Sequence, residues 1–209
     1  FCRRLACGGA LFAWALLGLG QGAQAAPPIA TASGGVFVMK AGLRTWQPAG
    51  TGYALGVGDQ VRTASGAGAV ITFDDGSRVS LGSSGSFTLH EVSSSGTFLK
   101  LSVGSLRAWV DKTLSRRFEV RTPTAVCSVR GTELAVDVNA QGHTNIQMFA
   151  GVLAVADLRG NETVLRNQES LRVTDKGFAA AQRSEQTVAR ERLRDQARRE
   201  VGLEMSKEA

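Results

Sequence analysis

Aromatic residues make up only 6% of this 209-residue sequence, which also has just four prolines, two histidines and three cysteines. So few histidines and cysteines exclude most multi-ligand zinc and iron–sulfur designs, and no metal or other cofactor is expected. The sparse aromatics do not interleave with basic residues, as the stacking platforms that bind single-stranded nucleic acid require. No Gly-x-Ser-x-Gly elbow occurs, Ser–His–Asp spacing alone is uninformative, and His90 and His143 have no carboxylate or cysteine cluster at metal spacing, so a hydrolase has no support. Gly66-Ala-Gly68-Ala lacks the lysine and the following helix of a phosphate cradle and reads as a turn. The net charge of +6 is spread thinly, which argues against nucleic acid as a partner. After the opening segment no run approaches 18 consecutive apolar residues, so a processed chain is expected to have no membrane span. These absences leave a non-enzymatic protein whose fold rests on its apolar residues, 43% of the chain.

The opening segment has the pattern of a secretory signal. Arg3-Arg4 precede the apolar stretch Leu5 to Leu19, and Ala23-Gln24-Ala25 supplies small residues at the −3 and −1 positions before Ala26-Pro27-Pro28. Cleavage after Ala25 and export to the periplasm are expected; the competing reading is a retained anchor. Cys2 and Cys7 would leave with the signal, so no internal disulfide could form. The remaining cysteine, Cys127, lies in the strand-like run Thr124-Ala-Val-Cys-Ser-Val and is expected to be a small buried hydrophobe.

From Val36 to Val173 apolar residues alternate with polar ones at period two, as in Ala69/Ile71/Phe73, Leu99/Leu101/Val103, Leu106/Ala108/Val110, Leu134/Val136/Val138 and Ile146/Met148. Val152/Ala154 read as a further inward pair. Asp74-Asp-Gly-Ser77 between two such runs predicts a hairpin, and Gly85, Gly96, Gly104, Gly131 and Gly151 are expected at turns. The fold class is therefore all-β: a sandwich or short solenoid of many short strands, punctuated by glycine at intervals of roughly 8–12 residues. The tail differs, because Ala189, Leu193, Ala197, Val201 and Met205 recur every fourth residue among alternating charges. This pattern predicts a charged amphipathic helix over residues 182–208, suited to folding back, partner docking or self-association. The organisation expected is a signal at 1–25, a linker at 26–35, a β-domain at 36–178 and the helix.

Three stretches carry a resemblance. Gly58-Asp59-Gln-Val61-Arg-Thr63 leads into Asp75-Gly76-Ser-Arg-Val79-Ser-Leu81. Phe118-Glu-Val-Arg-Thr122-Pro123-Thr124-Ala125-Val126-Cys-Ser-Val129-Arg130-Gly131-Thr132-Glu133 forms the centre, and Ile146 to Val155 adds a weaker match. Together they resemble the FecR family of periplasmic domains over residues 55–173. Asn167-Gln168-Glu169 departs from it, since the family often has a glycine before that acid. Typical sigma regulators of the family add a cytoplasmic anti-sigma segment, a membrane helix and a C-terminal domain that meets a TonB-dependent transducer. The resemblance here implies an exported β-domain of protein-interaction type, similar to stand-alone FecR-domain proteins that act with separate partners.

In the residues themselves, Pro123 should start or edge a strand, and Gly131 should supply a positive φ or a close backbone approach. Arg130 is either a buried hydrogen-bonded brace or a partner contact. Thr122, Pro123, Arg130, Gly131 and Thr132 are thus the candidate partner-binding or motif residues. The expected function is an interaction or sensory module in envelope signalling, with an envelope or membrane protein as partner. The alternative is a binder of cell-wall polysaccharide, for which Trp46, Tyr53 and Trp109 are the available aromatics.

Overall fold

The computed structural model describes residues 29–111, 116–179 and 182–183. The signal segment expected at 1–25 and all but the first two residues of the expected C-terminal helix lie outside them. Sixteen strands form one hydrogen-bonded sheet. In chain order they are β1 (Ile29–Ser33), β2 (Val36–Met39), β3 (Gln47–Pro48), β4 (Tyr53–Ala54), β5 (Gln60–Thr63), β6 (Gly68–Thr72), β7 (Arg78–Leu81) and β8 (Ser86–Val92). There follow β9 (Gly96–Trp109), β10 (Arg117–Arg121), β11 (Ala125–Val138), β12 (Thr144–Asp157), β13 (Glu162–Leu165), β14 (Glu169–Thr174), β15 (Gly177–Phe178) and β16 (Gln182–Arg183). The described part is all-β. Its pairings are antiparallel except for β9 with β10, which run parallel from Arg117 opposite Gly96 to Arg121 opposite Lys100. Residues 29–33, read from sequence as linker, form β1 between β4 and β6; the short run Ile-Ala-Thr-Ala-Ser has too little apolar alternation to announce a strand.

Alternation places one face of the sheet over a single core that includes Val61, Leu89, Leu101, Leu106, Val136, Ile146 and Val155, all at most 1% exposed. Each buried valine, leucine or isoleucine of this set contributes about 1.5–3 kcal/mol relative to exposure. The expected hairpin is present: β6 and β7 pair with Thr72 opposite Arg78, Asp75 accepts from the Ser77 N–H, and Gly76 has φ +80°.

The three 14-residue strands differ from the expectation, which placed turns at Gly104, Gly131 and Gly151. Each glycine lies inside a continuous strand with positive φ, +99°, +63° and +107° respectively. In β9 the inward residues are Leu99 and Leu101 before the bend but Leu106 and Ala108 after it. β11 changes from Cys127 and Val129 to Leu134 and Val136, and β12 from Ile146 and Met148 to Leu153 and Val155. A left-handed glycine bends a strand and shifts its pleat by one residue, so the same physical face stays inside while the parity of inward positions changes. The bends also mark changes of neighbour. The first part of β9 lies between β8 and β10 and its second part between β7 and β11. β12 likewise pairs first with β14 and then with β13. Because of the shift at Gly151, Val152 and Ala154 point outward and Leu153 and Val155 inward, the reverse of the sequence expectation.

The β12–β13 turn is closed by the Asp157 carboxylate, which accepts from the Asn161 side-chain amide (2.8 Å), the Asn161 N–H (2.9 Å) and the Arg159 N–H (2.8 Å). The Asn161 amide first, and then the two backbone N–H groups, hold its pKa below the ordinary 3.8 against the opposing effect of burial. A depressed carboxylate contributes stability that is complete above its ordinary value and is lost as pH falls through the lowered one. Asp157→Asn should therefore be less stable than the parent at neutral pH, and the gap should close on acidification. Urea midpoints measured from about pH 5 to about pH 2 check this; a gap constant over that range would contradict it.

Candidate functional site

The central motif begins at a four-residue turn between β10 and β11. Thr122 and Ala125 close it, with the Thr122 N–H donating to the Ala125 carbonyl at 2.8 Å. The Thr122 hydroxyl donates to the same carbonyl (3.1 Å) and accepts from the Ala125 N–H (2.9 Å). Thr144 Oγ1 donates to Thr122 Oγ1 at 2.7 Å, and Thr124 Oγ1 lies 2.7 Å from Thr144 Oγ1. All three threonines are buried, so this network ties β12 to the turn, and Thr122 acts inside the fold. Pro123 sits exposed at the bend just before β11, where its missing N–H leaves no donor unpaired.

At Arg130-Gly131-Thr132 the register between β11 and β12 slips and then returns: Arg130 opposes Val152, Glu133 opposes Ala150, and Leu134 opposes Met148. Gly131 has φ +63°, and its carbonyl stands only 2.8 Å from where a Cβ on Gly151 would lie. The positive φ expected of Gly131 is present, and the close approach is one that Gly151 must make. Thr132 is 4% exposed, its carbonyl accepts from the Val110 N–H (3.0 Å), and its Oγ1 has no hydrogen-bond partner. Gly131 and Thr132 thus shape the bend, while Arg130 points to solvent and makes no ion pair among the described residues. Of its two readings, the buried brace is not what the structure has.

Sequence reasoning missed Arg117. The turn closed by Thr122 and Ala125 fixes the β10–β11 register, in which Phe118 opposes Val129; one residue beyond that pair lie Arg117 and Arg130. Counting outward from Thr122 and Ala125 would have found the pair. The two exposed arginines border a cleft of about 370 Å³ together with Arg116, Glu119 and Ser128, over Phe118 and Val129. The neighbouring acids are engaged elsewhere, Glu119 with Arg121 and Asp74 with Arg116.

The first motif is structural as well. Asp59, 2% exposed, accepts from Lys40 Nζ (2.8 Å), the Gly56 N–H (2.8 Å) and the Ala41 N–H (3.0 Å). Thr63 Oγ1 donates to the Gly82 carbonyl (2.6 Å) and accepts from the Gly85 N–H (2.9 Å). Each of the three aromatics considered for sugar stacking has a cation over its ring: Arg62 over Trp46, Lys40 over Tyr53, and Arg107 over Trp109 at 5.1 Å. Among the described residues no three metal-capable side chains come together, and no helix is long and apolar enough to cross a membrane.

Cys127 is fully buried in β11, and that burial, with a smaller contribution from the Glu119 charge, pushes its thiol up to about 12. Since the thiolate is the reactive form, Cys127 should stay unmodified by iodoacetamide in the folded protein and become modified in urea. Peptide mass spectrometry reads this out, and modification at equal rates in both conditions would contradict it.

Residues 59–154 match the family model described as FecR protein. Comparison with curated proteins finds none that matches. Two crystal structures of a candidate anti-sigma factor from Parabacteroides distasonis ATCC 8503 are similar in fold. Each is 19% identical with a TM-score of 0.53, and the match covers 59% of this chain and 59% of theirs. This chain therefore spans less than two thirds of the length of those structures. The motif residues Asp59, Thr63, Thr122, Arg130, Gly131 and Thr132 all fall within the segment that matches the FecR protein family, residues 59–154.

Proposed function

We propose that this protein is an exported, periplasmic interaction or sensory module that works in envelope signalling by binding a separate membrane or envelope protein, without catalysing a reaction. The observation that carries this reading is the FecR domain itself, which supports a regulatory, signalling-related role. Within that domain the buried motif residues serve the fold, and Arg130 is left facing solvent. A hydrolase would need a nucleophile and base in one cleft. A wall-binding protein would need bare aromatic faces, whereas here each candidate ring has a cation over it. Crosslinking in intact envelopes, followed by purification of the protein, tests the proposal. Stoichiometric recovery of one inner- or outer-membrane protein is the expected result. Recovery of peptidoglycan-linked material alone would overturn it in favour of the wall-binding reading.

A further inference from the structure

Arg117 and Arg130 lie one residue beyond the Phe118–Val129 pair that ends the β10–β11 ladder and border the same cleft, both exposed and both without an ion pair among the described residues. Like charges brought close on a sheet destabilise it, and Glu119 and Asp74 already hold Arg121 and Arg116. Space is kept around the pair. The β9 neighbour of Arg117 is Gly96, where a Cβ would stand 2.5 Å from the Arg117 carbonyl oxygen, and the residue after Arg130 is Gly131. On the same outer face Val152 lies opposite Arg130, and Val164 lies opposite Ala154 on β13; both valines are 50% exposed. Two unneutralised guanidinium groups beside a flat apolar strip form a surface complementary to a carboxylate flanked by apolar side chains.

We propose that the Arg117–Arg130 pair is the docking point for an extended acidic segment of a protein partner. One carboxylate of that segment lies between the two guanidinium groups, each donating N–H bonds to it, and its apolar neighbours cover Val152 and Val164. This rests on the proposed function above and names the chemistry of the partner. An anionic lipid surface fits less well, because Glu119 and Glu162 lie on the same face.

The test uses the full chain and a fluorescein-labelled peptide of alternating glutamate and valine, with a lysine–valine peptide, inorganic phosphate and phosphatidylglycerol vesicles as parallel probes. Saturable anisotropy with the acidic peptide alone is expected, weakened at least tenfold in the Arg117→Gln/Arg130→Gln double variant and unchanged in Arg172→Gln on β14. Arg130→Gln alone should melt at the parent's temperature or above, because relief of a like-charge pair does not weaken the fold. The proposal is overturned by acidic-peptide binding that is absent or indifferent to the double substitution. Vesicle or phosphate binding with the same arginine dependence, or a marked fall in the melting temperature of Arg130→Gln, would overturn it equally. If envelope crosslinking still recovers the same membrane protein with the double variant, the interaction module stands and this docking point falls.

Discussion

Gly104→Ala should lower stability by about 4 kcal/mol and the melting temperature by roughly 10–15 °C, the largest effect expected of a single methyl group in this protein. Two costs combine. Gly104 has φ +99°, a conformation that side chains rarely adopt, and its added Cβ would stand 2.4 Å from the Cα of Gly85. That neighbour cannot retreat freely, since the Gly85 N–H donates to Thr63 Oγ1 and its carbonyl accepts from the Thr63 N–H at 3.0 Å. The matched control is Gly42→Ala, where φ is +77° and nothing lies within 4 Å of the new Cβ. That change should cost only about 1 kcal/mol. Urea unfolding of both variants separates backbone strain from collision, and equal losses would refute the close contact between β9 and the β7–β8 turn.

Asp59→Ala is expected to cost about 3 kcal/mol, second only to the Gly104 substitution, because it removes a buried charge together with three hydrogen bonds. The Gly56 and Ala41 N–H groups and the Lys40 ammonium all lose their acceptor at once. Lys40→Met should cost less, about 1 kcal/mol, because the lysine side chain is 39% exposed and partly screened by water. The hydrogen bond to Asp59 raises the Lys40 pKa above the ordinary 10.5. Stability from a raised lysine is complete below the ordinary value and fades as pH rises through the raised one, so the pair operates undiminished at neutral pH. Denaturant midpoints of the two variants check the ranking; a Lys40 variant as damaged as the Asp59 variant would show that the ion pair, rather than the backbone donors, carries the effect.

Period-two alternation made the all-β class legible, and Asp74-Asp-Gly-Ser77 made one hairpin legible, because both signals are local. The bends were hidden because a left-handed glycine serves a turn and a strand irregularity alike. Whether the chain reverses or continues after Gly104, Gly131 or Gly151 depends on pairing with strands distant in sequence. Val152 was misplaced for this reason, its parity having changed one residue earlier. Arg130 could be named from its motif, but its exposure depends on which way the strand points it after Val129. Gln168, standing where the resemblance leads one to expect a glycine, takes φ +66°, a conformation that glycine adopts readily.

The change of parity within β9, β11 and β12 also bears on aggregation. Stacking of like strands into fibrils favours long segments whose alternation is uniform, so that two flat faces can interlock along their whole length. A strand whose inward positions move by one residue halfway, and whose axis bends there, offers such a partner only about half its length at a time. Sliding by one residue would expose the apolar residues of one half. The same glycines that let each long strand serve two sets of neighbours therefore protect 14-residue runs of high β-propensity from pairing with copies of themselves while the chain is still unfolded.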